Sequence, residues 1–86
     1  MSFEVLFSPR SYKQIQSLDR KLKERIRKAA IEIGDDPFHK GTIKIRGYEN
    51  IRRKRIGKYR VLYTVDKEAE EVLIVKIEKR DETTYK

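Results

Sequence analysis

The spacing of the apolar residues changes partway along this 86-residue chain, and the change limits the folds that it can adopt. Between residues 22 and 33 the apolar side chains recur every three or four positions, which predicts an amphipathic helix with one buried face. From Thr42 onward they alternate with polar ones, which predicts strands. Helices followed by consecutive strands favour an α+β domain with an antiparallel meander.

Local signals predict where these elements begin and end. Residues 3–7 alternate as a short first strand. Ser8 and Pro9 begin a first helix, and Asp19 caps a second helix that ends near Gly34. The later strand candidates are residues 43–45, 51–56, 59–66 and 72–79. Since 43–45 is short enough to be only an approach to the sheet, we predict β-α-α-β-β-β over a single domain, 1–86. In it a helical hairpin packs on a mostly antiparallel four-stranded sheet.

Composition narrows the class of partner. Lys and Arg number 22 against 14 Asp and Glu, a formal net charge of +8 that favours a polyanion such as nucleic acid or an acidic protein. The chain has no Cys and one His, so we expect neither a metal nor a cofactor. No segment approaches the roughly 20 apolar residues of a membrane span, and residues 1–7 lack the pattern of a signal peptide. We therefore expect a cytoplasmic protein with no membrane partner.

The most concentrated charge is the run RRKRIGKYR at residues 52–60, in which six of nine residues are cationic and none is acidic. The run covers two predicted strands and the turn between them, so a sheet would fix its guanidinium groups in space. By two-residue alternation Arg53 and Arg55 share one face, while Arg52 and Lys54 point to the other. Fixed guanidinium groups suit the recognition or cleavage of a phosphodiester.

The segment KIRGYENIRRKRIGKYRVLY at residues 44–63, followed by VLIVKIEKRDETTYK, resembles the RelE/ParE toxin superfamily. The resemblance covers nearly the whole chain and is most specific at Gly47-Tyr48 and at residues 57–61. It implies the microbial-RNase-like RelE fold and an mRNA interferase toxin of a type II toxin–antitoxin system. Such a toxin is a metal-free endoribonuclease that cuts mRNA in the ribosomal A site, by attack of the ribose 2′-hydroxyl on the phosphate. The resemblance also implies a hetero-oligomer with a cognate acidic antitoxin.

Matched position by position, the resemblance assigns catalysis to Arg53, Arg55, Arg60, Arg80 and Tyr85. Arg60 is expected to clamp the phosphate, Arg80 to act as a second clamp or on the leaving group, and Tyr85 to stack on or orient a base. Where RelE-type toxins can carry lysine, this chain carries Arg53 and Arg55, which stay charged and so position or stabilise the phosphate rather than take a proton. Tyr85 would accept a proton only with a pKa well below ~10. The proton acceptor is left open.

Further cations are expected to dock on ribosomal RNA. They are Lys21, Lys23, Arg25, Arg27, Lys28, Lys44, Arg46, Arg52 and Lys54. Such contacts would be independent of sequence and sensitive to salt, although a charged helix face is also an ordinary solvated surface. For Arg52 and Lys54 the alternative is an edge strand, on which charge discourages aggregation. His39, in the loop DDPFHKG, is expected to be exposed and without a role.

Two other functions stay open on the sequence. A ParE-like poison of DNA gyrase would bind a protein and need no nuclease site. A catalytically inactive member of the fold would only bind RNA or antitoxin, and the lack of a group that titrates near neutrality is consistent with it. The pairing of Arg80 with Tyr85 favours the nuclease.

Overall fold

Two helices pack on a five-stranded sheet in the computed structural model, which describes residues 2–45, 47 and 50–79. In chain order the elements are β1 (Glu4–Phe7), α1 (Pro9–Gln16), α2 (Arg20–Asp35), β2 (Thr42–Lys44), β3 (Ile51–Ile56), β4 (Tyr59–Asp66) and β5 (Glu71–Lys79). The strand order is β1-β5-β4-β3-β2. β1 pairs in parallel with β5, and the other three pairs are antiparallel. The predicted α+β class and mostly antiparallel sheet are confirmed.

The sheet has one strand more than the four that we predicted. Thr42–Lys44 forms β2, which pairs Thr42 with Lys54 and Lys44 with Arg52. Ile45 extends the pairing, since its N–H donates to the carbonyl of Ile51 at 2.9 Å. Three residues contain too few alternations to distinguish a strand from a segment that only leads to the sheet. The pairing with β3 shows that this segment is a strand. Because β2 covers β3, the interpretation of β3 as an edge strand is wrong.

Capping side chains begin both helices where the sequence predicts. The Ser8 side chain accepts the Ser11 N–H at 3.1 Å, with Pro9 as the first helical residue. The Asp19 side chain accepts the Leu22 N–H at 2.9 Å. Each cap satisfies one otherwise unpaired backbone donor and contributes about 1 kcal/mol. No helix in the described part of the chain is long and apolar enough to cross a membrane.

Side chains of α1 bond to the backbone of β5 at and beyond the end of its pairing with β1. The Ser11 hydroxyl donates to the carbonyl of Ile74 at 2.8 Å. The Gln14 amide donates to the carbonyl of Ile77 and accepts its N–H, both at 2.9 Å. Buried backbone groups need such partners, so these bonds fix α1 over the irregular part of β5, where the pairing with β4 shifts between Leu62 and Tyr63.

The core lies between the helices and one face of the sheet. Its members are Ile26, Ala29, Ala30 and Ile33 from α2, with Ile56, Val61, Tyr63, Val72, Ile74 and Ile77 from the sheet. The apolar stripe of α2 therefore faces the sheet as predicted. Tyr63 is fully buried, and its hydroxyl donates to the carbonyl of Pro37 at 2.6 Å. This bond ties the loop after α2 to the middle of β4.

Candidate functional site

Three arginines of the cationic run meet in one pocket on the sheet face opposite the core. Arg53 and Arg55 come from β3 and Arg60 from β4, and the Cα atoms of Arg55 and Arg60 are direct partners in the sheet. The pocket has a volume of about 320 Å³. Its lining consists of Gly41, Ile43, Arg53, Arg55, Gly57, Lys58, Tyr59 and Arg60. We call it the arginine pocket.

A two-residue hairpin loop brings these arginines together. Ile56 pairs with Tyr59, so Gly57 and Lys58 alone reverse the chain. Gly57 has φ +58°, a left-handed conformation that glycine adopts without strain, and glycine at the first loop position suits the twist of a hairpin. The loop length sets the register, and the register places Arg60 opposite Arg55. The predicted common face of Arg53 and Arg55 thus also holds Arg60.

Among the described residues, the lining of the arginine pocket has four cations and no acid. Glu78 is the sheet partner of Arg60, but its carboxylate pairs with Lys76 at 3.0 Å. The Nε of Arg60 is buried and has no hydrogen-bond partner among the described residues. The Nε of Arg52 is buried and unpaired in the same way, so the signal for a ligand here is the cluster of cations. The arrangement therefore favours an anionic ligand such as a phosphate.

Sequence reasoning missed two features of this pocket. Tyr59, which was not among the predicted site residues, is half-buried against the core and also lines the pocket. Arg25 of α2 lies against the hairpin loop, since a Cβ at Gly57 would lie 3.3 Å from its Nη2. Arg25 thus carries positive charge from the pocket across the loop to α2. The alternation of β4 could predict neither position, because Tyr59 lines the pocket from the end of its strand and Arg25 belongs to another element.

The cations of α2 that are predicted to dock on RNA lie at its exposed surface. Lys21, Lys23, Arg25, Arg27 and Lys28 are all exposed. Arg27 pairs with Glu24 at 3.4 Å in the same helix. Lys44 is exposed on the edge strand β2. Their predicted contact with RNA stays a prediction.

The two alternating cations of β3 point toward the core side and have protein partners. Lys54 Nζ lies 3.0 Å from Oε1 of Glu32 in α2, and its side chain is only 13% exposed. The hydrogen bond and the charge of Lys54 hold the pKa of Glu32 below its ordinary value. Arg52 donates to Oγ1 of Thr42 at 2.8 Å. Neither side chain lies with Arg53 in the arginine pocket.

His39 is half-buried, so the expectation of an exposed loop residue is wrong. Its Nδ1 accepts the N–H of Gly41 at 3.0 Å, and its Nε2 lies 3.3 Å from Nζ of Lys54. The ring thus orders the loop that carries Gly41 to the wall of the arginine pocket. Its contacts join residues that are distant in sequence, which alternation cannot reveal.

Three predicted site residues, Arg46, Arg80 and Tyr85, lie outside the described residues, as does Tyr48 of the family-like motif. Their roles stay predictions. Within 2–45, 47 and 50–79, no group of three His, Asp or Glu side chains could hold a metal ion.

The architecture is that of RelE toxins. The isolated RelE toxin of E. coli matches with a TM-score of 0.85 at 21% identity, over 96% of this chain and 89% of that chain. RelE in the archaeal RelE–RelB complex of Pyrococcus horikoshii OT3 matches with a TM-score of 0.83 at 25% identity, over 96% and 100%. The YoeB dimer of Staphylococcus aureus gives 0.75 at 19% identity, over 94% and 100%.

Residues 5–84 match the family described as the ParE toxin of type II toxin–antitoxin systems, parDE. The chain therefore belongs to this family of toxins, and the resemblance to the RelE/ParE superfamily is confirmed. A comparison with curated proteins gave no significant match.

Proposed function

We propose that this toxin is a metal-free, ribosome-dependent endoribonuclease that cleaves mRNA in the ribosomal A site. The observation that carries the proposal is the pocket in which Arg53, Arg55 and Arg60 converge, whose described lining contains no acid. Preorganised guanidinium groups of this kind stabilise charge that develops on a phosphoryl group. The pocket's size suits a phosphate with part of its nucleotide.

In the proposed reaction the 2′-oxygen of the ribose bonds to the adjacent phosphorus as the bond to the 5′-oxygen breaks. A cyclic phosphate and a 5′-hydroxyl result, so one proton leaves the 2′-oxygen and one reaches the 5′-oxygen. Arg60 donates to the non-bridging phosphoryl oxygens, and Arg53 and Arg55 hold the backbone in line. Arg80 is proposed as a second clamp and Tyr85 as the group that orients a base. Arginine stays protonated, so the proton acceptor lies outside the arginine triplet.

Mapping mRNA 5′ ends on purified ribosomes tests this function. The parent should create new ends within the A-site codon, and Arg60→Ala should lower the cleavage rate about 10²–10³-fold, the usual effect of removing one oxyanion donor. Arg60→Lys keeps the charge but loses the planar fork, so it should restore only part of the rate. Lys13→Ala, which removes an exposed cation of α1, is the matched control and should leave the rate unchanged. An Arg60→Ala toxin that cleaves like the parent would refute the assignment.

A second candidate is the poisoning of DNA gyrase, which the family match to ParE toxins favours. A gyrase poison would trap a cleaved DNA–gyrase complex and leave ribosome-bound mRNA intact. Assaying both reactions with one preparation therefore separates the two functions. Tight binding of mRNA on ribosomes without new ends would instead indicate an inactive member of the fold.

The proposed protein partner is a cognate acidic antitoxin that forms a hetero-oligomer with the toxin in the cytoplasm. The complex of RelE with RelB from Pyrococcus horikoshii supports a partner of this kind. So do the net charge of +8 and a mostly apolar groove of about 570 Å³ between β1 and α2, which exposes Phe7 and Ile31. An antitoxin segment with apolar and acidic side chains would match both features.

A further inference from the structure

A second cationic pocket lies on the core side of the sheet, at the end of β3 farther from the hairpin loop. Its volume is about 270 Å³. The described residues that line it are Phe38, Lys44, Asn50, Arg52, Val65 and Lys67, which include three cations and no acid. We propose that this pocket, the Phe38 pocket, binds an unpaired nucleobase of single-stranded RNA together with the adjoining phosphate.

The aromatic ring at its centre is both exposed and fixed in place. Phe38 is 43% exposed. Its N–H donates to Oδ1 of Asp36 at 3.0 Å, and the preceding residue, Pro37, is held by the bond from the buried Tyr63 hydroxyl. The backbone thus presents the ring to solvent from an ordered loop. An exposed ring held in this way is a ready surface for stacking.

Two cations lie over this ring and differ in how firmly they are held. Arg52 Cζ is 5.1 Å and Lys67 Nζ is 5.2 Å from the ring centroid, within cation–π range. Arg52 is half-buried and anchored on Thr42. Lys67 is exposed in the turn after β4 and forms no salt bridge with another described residue. Lys67 can therefore move to a phosphate and uncover the ring, while Arg52 stays.

The combination of side chains favours RNA over an acidic peptide. A carboxylate needs only the cations, whereas a nucleobase also uses the aromatic ring and the planar guanidinium beside it. The amide of Asn50 adds a donor and an acceptor that can pair with a base edge. The pocket therefore offers charge, stacking and edge recognition together, which is the chemistry of single-strand binding.

One RNA strand can reach both pockets across the edge of the sheet. Ile43 and Lys44 are neighbours on the edge strand β2, and they line the arginine pocket and the Phe38 pocket respectively. In the described part of the chain, this strand lies between the two linings there. The inference rests on the proposed function in taking RNA as the ligand, but it does not require cleavage.

Fluorescence anisotropy with a labelled single-stranded 2′-O-methyl RNA, which lacks the attacking hydroxyl, tests binding without the ribosome. Phe38→Leu should weaken affinity about 5- to 100-fold, the loss expected for one stacked base, without changing the salt dependence. Lys67→Ala should reduce the slope of log K against log salt by about 0.7, the value for one phosphate contact on a single strand. The controls are Phe7→Leu, which alters a phenylalanine that is 36% exposed, and Lys13→Ala. Neither control should reproduce these changes.

An RNA backbone that is abasic at every position should bind the parent and Phe38→Leu equally, since it has no base to stack. The proposal fails if Phe38→Leu binds the intact RNA like the parent, or loses no more affinity than Phe7→Leu. It fails also if Phe38→Leu weakens the binding of a polyglutamate peptide and leaves the binding of RNA unchanged. Thermal unfolding of each variant separates loss of the pocket from loss of the fold. If Phe38→Leu loses RNA affinity while the parent does not cleave on ribosomes, the inference stands and the proposed nuclease function falls.

Discussion

Neighbouring cations of β3 point to opposite faces of one sheet and meet different surroundings. On one face Arg53 and Arg55 join Arg60 around a pocket with no acid in the part of its lining that the structure describes. On the other, Lys54 pairs with Glu32 at 3.0 Å, and Arg52 donates to Thr42 at 2.8 Å. The residue types are nearly the same, so the pleat and the packing of α2 decide which charges meet at the arginine pocket and which have partners within the protein.

The side facing α2 shows how a strand accommodates a lysine next to the core. The stem of Lys54 follows the inner face, and its ammonium reaches Glu32 at the rim, where the carboxylate is 62% exposed. The acid of this pair therefore stays largely in water, whereas the Lys54 side chain is mostly buried. Lys54 therefore has its partner within the protein, whereas the Nε atoms of Arg60 and Arg52 are buried without a hydrogen-bond partner among the described residues.

The largest expected effect comes from comparing adjacent substitutions on the two faces. Arg53→Ala should lower ribosome-dependent cleavage about 10²-fold, because it removes one fixed guanidinium from the phosphate site. Lys54→Ala should leave the cleavage rate within a few-fold of the parent and lower the free energy of unfolding by up to about 1 kcal/mol, as expected for a largely solvated ion pair. Cleavage rates and urea unfolding curves measure the two effects. Equal loss of cleavage in both variants would show that the two faces do not differ in function.

Alternation and turn chemistry were enough to predict much of this division. The two-residue period separated Arg53 and Arg55 from Arg52 and Lys54, and Gly57 located the hairpin loop. The caps at Ser8 and Asp19 also lie where predicted. Such features depend on residues close together in the chain, for which local rules carry the physics.

Contacts between distant residues were not predictable in the same way. The cluster of Glu32, His39 and Lys54 joins a helix, a loop and a strand, and no pattern in any one of them identifies its partners. The same holds for Phe38, whose position depends on the buried bond from Tyr63. β2 was too short to recognise, and missing it made β3 look like an edge strand. The tertiary pairing supplied what the pattern lacked.

A smaller effect is expected at Tyr63, the partner of Arg52 on the core side. Tyr63→Phe removes the 2.6 Å bond to Pro37 and should lower the free energy of unfolding by about 1 kcal/mol at neutral pH. Burial raises the pKa of Tyr63 above its ordinary value of 10.0, and outweighs the opposing hydrogen bonds with Thr42 and Arg52. The hydroxyl's contribution is thus complete below pH 10 and is lost as the pH rises through the folded-state pKa. Unfolding curves of parent and variant should therefore converge above about pH 10, and a constant difference would contradict this account.

The smallest effect concerns the acid half of the ion pair with Lys54. Lys54 lowers the pKa of Glu32, mainly through its hydrogen bond and secondly through its charge. The pair therefore stabilises the folded state at pH values above 4.5, the ordinary pKa of this carboxyl. That contribution disappears as the pH falls through the folded-state pKa, because the carboxylate is then protonated. Glu32→Gln should be slightly less stable than the parent at pH 7 and equally stable in acid, whereas Glu24→Gln removes an exposed pair within α2 and serves as the matched control. If Glu32→Gln lowered cleavage instead of stability, the core-side cations would belong to the site, and the contrast between the two faces of β3 would have to be abandoned.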